Sequence, residues 1–83
     1  MRESLEIIRD RLDGTGRKRL AMVIDHEANG ACRVRDHESL DDLVVVEYLS
    51  QWDPSKVAMT SYLSRSNGGW VSLEAQTEKR VSP

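Results

Sequence analysis

Two triplets of the same composition, Asp25-His26-Glu27 and Asp36-His37-Glu38, flank the single cysteine, Cys32. Imidazole, carboxylate and thiolate are zinc ligands, and an imidazole beside a thiol is a nucleophile–base pair. Either chemistry requires the groups to converge. A structural zinc takes four ligands, and a catalytic dyad needs an orienting third group and oxyanion donors. If residues 20–35 form a hairpin, His26 opposes Cys32. His37 then falls opposite Ala21, about five residues or ~17 Å along the strand from His26. Asp36, opposite Met22, is too distant to orient an imidazole at position 26. The economical reading is a histidine and an inert thiol at the end of a small core face. No catalytic residue, metal or cofactor is expected.

The remaining motifs are weaker. Gly14-Thr15-Gly16-Arg17-Lys18 holds glycines and a lysine but lacks the phosphate-loop spacing, so it reads as a basic connection. No serine lies in a Gly-x-Ser-x-Gly setting. Asp41-Asp42 suits a helix N-terminus better than general acid–base work.

Two surfaces remain for binding. Arg17, Lys18, Arg19, Arg33 and Arg35 could form a basic patch on the first hairpin and contact phosphates. The first 47 residues hold no Phe, Tyr or Trp, so bases have nothing to stack on there, and Asp25, Glu27 and Asp36 dilute the field. The four aromatics, Tyr48, Trp52, Tyr62 and Trp70, fall in the second half. With Tyr62 and Trp70 on an outer sheet face, they suit the anchors of a protein interface. A helix around Trp52 that covers them is the alternative.

Composition sets the frame. The chain has 83 residues, 12 basic and 14 acidic groups, and a net charge of −2, without the basic footprint of a dedicated nucleic-acid binder. A domain this small buries only about 60–65% of its unfolded surface, so a second copy would relieve its core. One cysteine excludes an internal disulfide. No apolar run is fit for a signal peptide or a membrane span, which makes the cytoplasm the expected compartment. A single domain over residues 1–76 and a loose tail over 77–83 are expected.

Two echoes suggest the elements that position these groups. Glu3-Ser4-Leu5 returns as Glu38-Ser39-Leu40, and Ala28-Asn29-Gly30 returns as Ser66-Asn67-Gly68. Leu5, Ile8 and Leu12 mark a helical stripe over 3–13, stopped at Gly14. From Leu20 the period becomes two. A three-residue Ala28-Asn29-Gly30 loop puts Leu20, Met22, Ile24 and Val34 on one face and pairs Asp25 with Arg33 on the other. Ser39 as N-cap and the spacing of Val45, Tyr48, Leu49 and Trp52 favour a second helix, although Leu43-Val44-Val45-Val46 also suits a strand. Residues 57–75 read as a second hairpin around Ser66-Asn67-Gly68, with a helix after Pro54 as the rival. The expected fold is a small α+β domain, α-β-β-α-β-β, with two helices on a four-stranded antiparallel sheet. The expected role is non-catalytic protein binding, as an adaptor, modulator or stoichiometric inhibitor and as a homodimer. A nucleic-acid-binding accessory protein is the alternative, and a thiol- or metal-dependent enzyme comes third.

Overall fold

The computed structural model describes residues 3–72. Two helices, α1 (Leu5–Arg11) and α2 (Gly14–Ala28), precede four strands, β1 (Cys32–Asp36), β2 (Leu43–Leu49), β3 (Val57–Ser64) and β4 (Trp70–Val71). The strands form one antiparallel sheet in the order β1-β2-β3-β4. The fold is therefore the expected small α+β domain, with two helices and a four-stranded antiparallel sheet. Two segments exchange roles within it: residues 20–28 are helical, and residues 43–49 are a strand. The tail expected over residues 77–83 lies outside the described residues.

The first helix begins as its sequence implies, with the Ser4 hydroxyl accepting the Ile7 amide at 3.3 Å. Gly14, at φ +60°, turns the chain directly into α2. The apparent alternation after Leu20 is the edge of a helical stripe. Gly16, Leu20 and Val23 are buried, with Ile24 partly so, and their spacing is that of one helix face. Asn29-Gly30 closes this helix and does not turn a hairpin. Gly30, at φ +78°, lets the Ala31 amide reach His26 O at 2.9 Å and its own amide reach Glu27 O at 3.1 Å, which is the Schellman pattern.

The second Glu-Ser-Leu opens a loop. His37 Nδ1 accepts the amides of Ser39 (3.1 Å) and Leu40 (3.0 Å), so a turn forms where a helix cap was expected. Leu43, Val44, Val45 and Val46 are all buried. Val44 and Val46 face the helices with Leu5, Ile8, Leu20, Val23, Cys32 and Leu63. Val45, on the opposite face, lies between Arg35 and Tyr62. A run buried on both faces has no amphipathic period, and β-branching then decides for strand.

The second hairpin forms as read, but its register differs. Leu63 pairs with Trp70 and Tyr62 with Val71, one residue from the expected pairing. A one-residue slip inverts every side chain. Trp70 therefore shares the helix-side face with Leu63, and Tyr62 alone looks outward. The slip is held by the β3–β4 turn, where Gly68 sits at φ +70° against Gly16. A Cβ on Gly16 would lie 2.3 Å from Asn67 O, so the turn and α2 meet backbone to backbone.

Candidate binding surface

The groups with catalytic potential do not converge. His26 lies on α2, and its Nδ1 is 3.3 Å from the Tyr48 hydroxyl, with the two rings edge to face. Cys32 pairs across the sheet with Tyr48, so the expected opposition to His26 is replaced. The thiol is 2% exposed and 4.0 Å from Val23 O. Burial pushes its pKa above the ordinary 9.0, and the Glu27 carboxylate adds to the rise. A thiol held protonated is a poor nucleophile. The Tyr48 phenol is likewise raised from 10.0, first by burial and then by Cys32. Among the described residues no cluster of three or more His, Cys, Asp or Glu could hold a metal ion. No described helix is long and apolar enough to cross a membrane.

The five basic residues are divided between two faces. Arg33 and Arg35 stand on the outer sheet face and share Glu47, at 3.8 and 3.6 Å. The expected Asp25–Arg33 pair is absent because Asp25 is on α2. Arg17 approaches Asp10 at 4.0 Å. Arg19 donates from Nη1 to Gly68 O at 2.7 Å, with its guanidinium carbon 5.9 Å from the centre of the Trp70 ring. Trp70 thus joins the basic face of α2, an approach that sequence order concealed.

The aromatic quartet is dispersed as well. Tyr48 is half-buried beside His26, and Tyr62 packs toward His37 on the outer face, with ring centres 6.0 Å apart. Trp52 is 90% exposed, in the loop joining β2 to β3 and away from any helix. That loop is ordered by its own side chains. The Ser50 hydroxyl accepts the amides of Trp52 and Asp53, and Asp53 Oδ1 accepts from the Ser55 hydroxyl at 2.6 Å. These Ser55 hydrogen bonds hold the Asp53 carboxyl below its ordinary 3.8.

Sequence reading missed the surface next to this loop. Residues 57–60 of β3 are all exposed, including Met59 at 55%. β4 pairs only with Tyr62 and Leu63, so among the described residues Val57–Ser61 has β2 on one side and no strand on the other. None of the eight residues of β3 is charged or proline. Native edge strands are usually blunted by such residues. The available signal was the composition of residues 57–64 itself, an uncharged run inside a chain that is 31% charged.

The chain was compared with protein-family models, curated proteins and solved structures, and nothing matched.

Proposed function

We propose that this chain is a non-catalytic protein-binding module that acts as a homodimer, an adaptor or modulator whose binding surface is the open end of β3. One observation carries the reading: among the described residues the edge of β3 over Val57–Ser61 has no strand beyond it and carries no charge, with Met59 exposed on that strand and Trp52 exposed in the loop that leads into it. Backbone amides and carbonyls along such an edge accept an added strand, and neighbouring apolar side chains supply the burial. A second copy is the occupant that fits best. Two β3 edges meeting antiparallel about a twofold axis present the same surface to each other, and with no charge on either strand they bring no like charges together. Trp52, held at the adjoining loop, then flanks the junction as an aromatic anchor for a further protein.

Light scattering of the pure protein at ~100 µM tests this, since a micromolar dimer persists at that concentration. A dimer mass is expected. The Met59→Lys, Thr60→Lys double variant places charge on the strand and should return the monomer with its helical and strand content unchanged. A monomer mass for the unaltered chain overturns the reading, and so does a dimer that survives both lysines.

A further inference from the structure

Beside the basic face of α2 lies an open groove of about 330 Å³, lined by Thr15, Lys18, Arg19, Met22 and Trp70. The four helix residues are spaced i, i+3, i+4 and i+7, so they form one face next to the buried stripe of Gly16, Leu20 and Val23. Trp70 closes the groove from β4 and is 44% exposed. Its position is fixed by contacts that are already in place: the Gly16–Gly68 approach brings the β3–β4 turn onto α2, and Arg19 bridges Gly68 O and the indole. Among the described residues Lys18 has no ion-pair partner and no acidic side chain lines the groove.

We infer that this groove binds a nucleotide unit, its base stacked on Trp70 and its phosphate held by Lys18, with Arg19 fixing the indole. The chemistry is specific in two respects. An indole held by a guanidinium is a stacking platform for any base, because every base has a π-face. A lysine and a threonine hydroxyl beside it match a phosphate, with the ammonium acting as a point charge and the hydroxyl as a neutral donor. The apolar Met22 suits the sugar–base portion of the ligand, not a second phosphate. The outer-face arginines are not involved, since Arg33 and Arg35 are already engaged by Glu47. The groove is distinct from the β3 edge, so this inference stands or falls independently of dimer formation. The same unit can arrive as a free nucleoside monophosphate or as one residue of a single strand.

The Trp52→Phe variant leaves Trp70 as the sole tryptophan and alters a side chain that is 90% exposed. Its fluorescence reports on the groove. Titration with adenosine 5′-monophosphate or with a short deoxyadenosine oligonucleotide should give a saturable change, with half-saturation of ~1 mM or below. Saturation by both ligands assigns a free-nucleotide site, and saturation by the oligonucleotide alone assigns a single-strand site. Each supports the inference. Adding Lys18→Ala should weaken binding about tenfold and flatten its salt dependence, as expected for one lost phosphate contact. Circular dichroism of that variant should be unchanged, because Lys18 is exposed. No saturable change up to ~10 mM of either ligand overturns the inference. So does an equal response to ribose 5-phosphate, which marks an anion site without stacking. A glutamate–tyrosine peptide that saturates the signal where nucleotides fail overturns it too, assigning the groove to protein.

Discussion

Two rows of side chains cross the same sheet and end differently. In one, Asp36, Val44, Leu63 and Trp70 stand side by side on the helix-facing surface, and Val44 and Leu63, each 1% exposed, are buried between an exposed Asp36 and Trp70. In the other, Cys32, Tyr48 and Met59 stand side by side, and burial fades from 2% at Cys32 to 55% exposure at Met59. Both rows share β1, β2 and β3, so β-propensity along those strands does not explain the difference. Coverage does. The first row is closed by β4 and by the β3–β4 turn locked onto α2 through Gly16 and Gly68. The second starts beneath α2, where Cys32 Sγ lies 4.0 Å from Val23 O, and among the described residues no fourth strand pairs with β3 at Met59. One strand is therefore core at one end and available surface at the other.

Breaking the closed row should cost the most. Leu63→Ala removes a fully buried side chain from the main apolar cluster and should destabilise the fold by about 2–5 kcal/mol. Met59→Ala, on the same strand, should change stability by less than ~0.5 kcal/mol in protein dilute enough to be monomeric. Chemical denaturation of the two variants checks the contrast. Comparable losses would mean that the two ends are not different in kind.

The lock itself is the next test. Gly68→Ala forces a side chain onto a residue at φ +70° and brings a Cβ within 2.8 Å of the Gly16 backbone. Left-handed strain of roughly 1–2 kcal/mol adds to the steric cost of pushing two backbones apart. Hydrogen exchange should then accelerate at Trp70 and Val71 before it does at β1 and β2, because β4 is held through this turn. Acceleration that is uniform over the sheet would mean that the contact serves the whole fold and not the closed row.

These rows also explain what the sequence made legible. The first helix, the strand over 57–64 and the α+β class follow from local signals that tertiary packing left in place. Residues 20–28 deceived because Leu20, Met22 and Ile24 alternate, whereas the buried stripe is Gly16, Leu20 and Val23, and a glycine carries no hydropathy signal. Asn29-Gly30 and Asn67-Gly68 look alike, yet the first terminates a helix and the second locks a turn onto one. The Leu43–Val46 run hid its strand character because both its faces are buried. The single-residue change of register at β3–β4, invisible without the Gly16 contact, moved Trp70 from the outer face to the basic face of α2. The candidate surfaces were thus only partly readable. Trp52, Trp70, Lys18 and Arg19 were singled out, but their grouping depends on contacts between segments far apart in the chain.

The smallest expected effect lies at the covered end of the fading row, in Cys32. Its thiol and the neighbouring Tyr48 phenol are both held above their ordinary pKa values by burial, so each binds its proton more tightly in the folded state than in the unfolded one. For groups raised in this way, the stabilisation is complete below the ordinary value and is lost as pH climbs through the folded value. Stability should accordingly be flat through neutrality and fall once pH passes 9.0, first from Cys32 and then from Tyr48, whose ordinary value is 10.0. Urea midpoints measured between pH 7 and 10.5 follow this limb. Cys32→Val keeps an apolar group of similar size beneath α2 and should make the first part of the decline shallower, leaving the part due to Tyr48. Native alkylation at neutral pH should be slow for the same reason, since the reactive thiolate is scarce and covered. If the valine variant declines as steeply as the unaltered chain, or if alkylation proceeds at the rate of a free thiol, the covered end of the row is open to solvent, and the distinction between its two ends fails where burial is greatest.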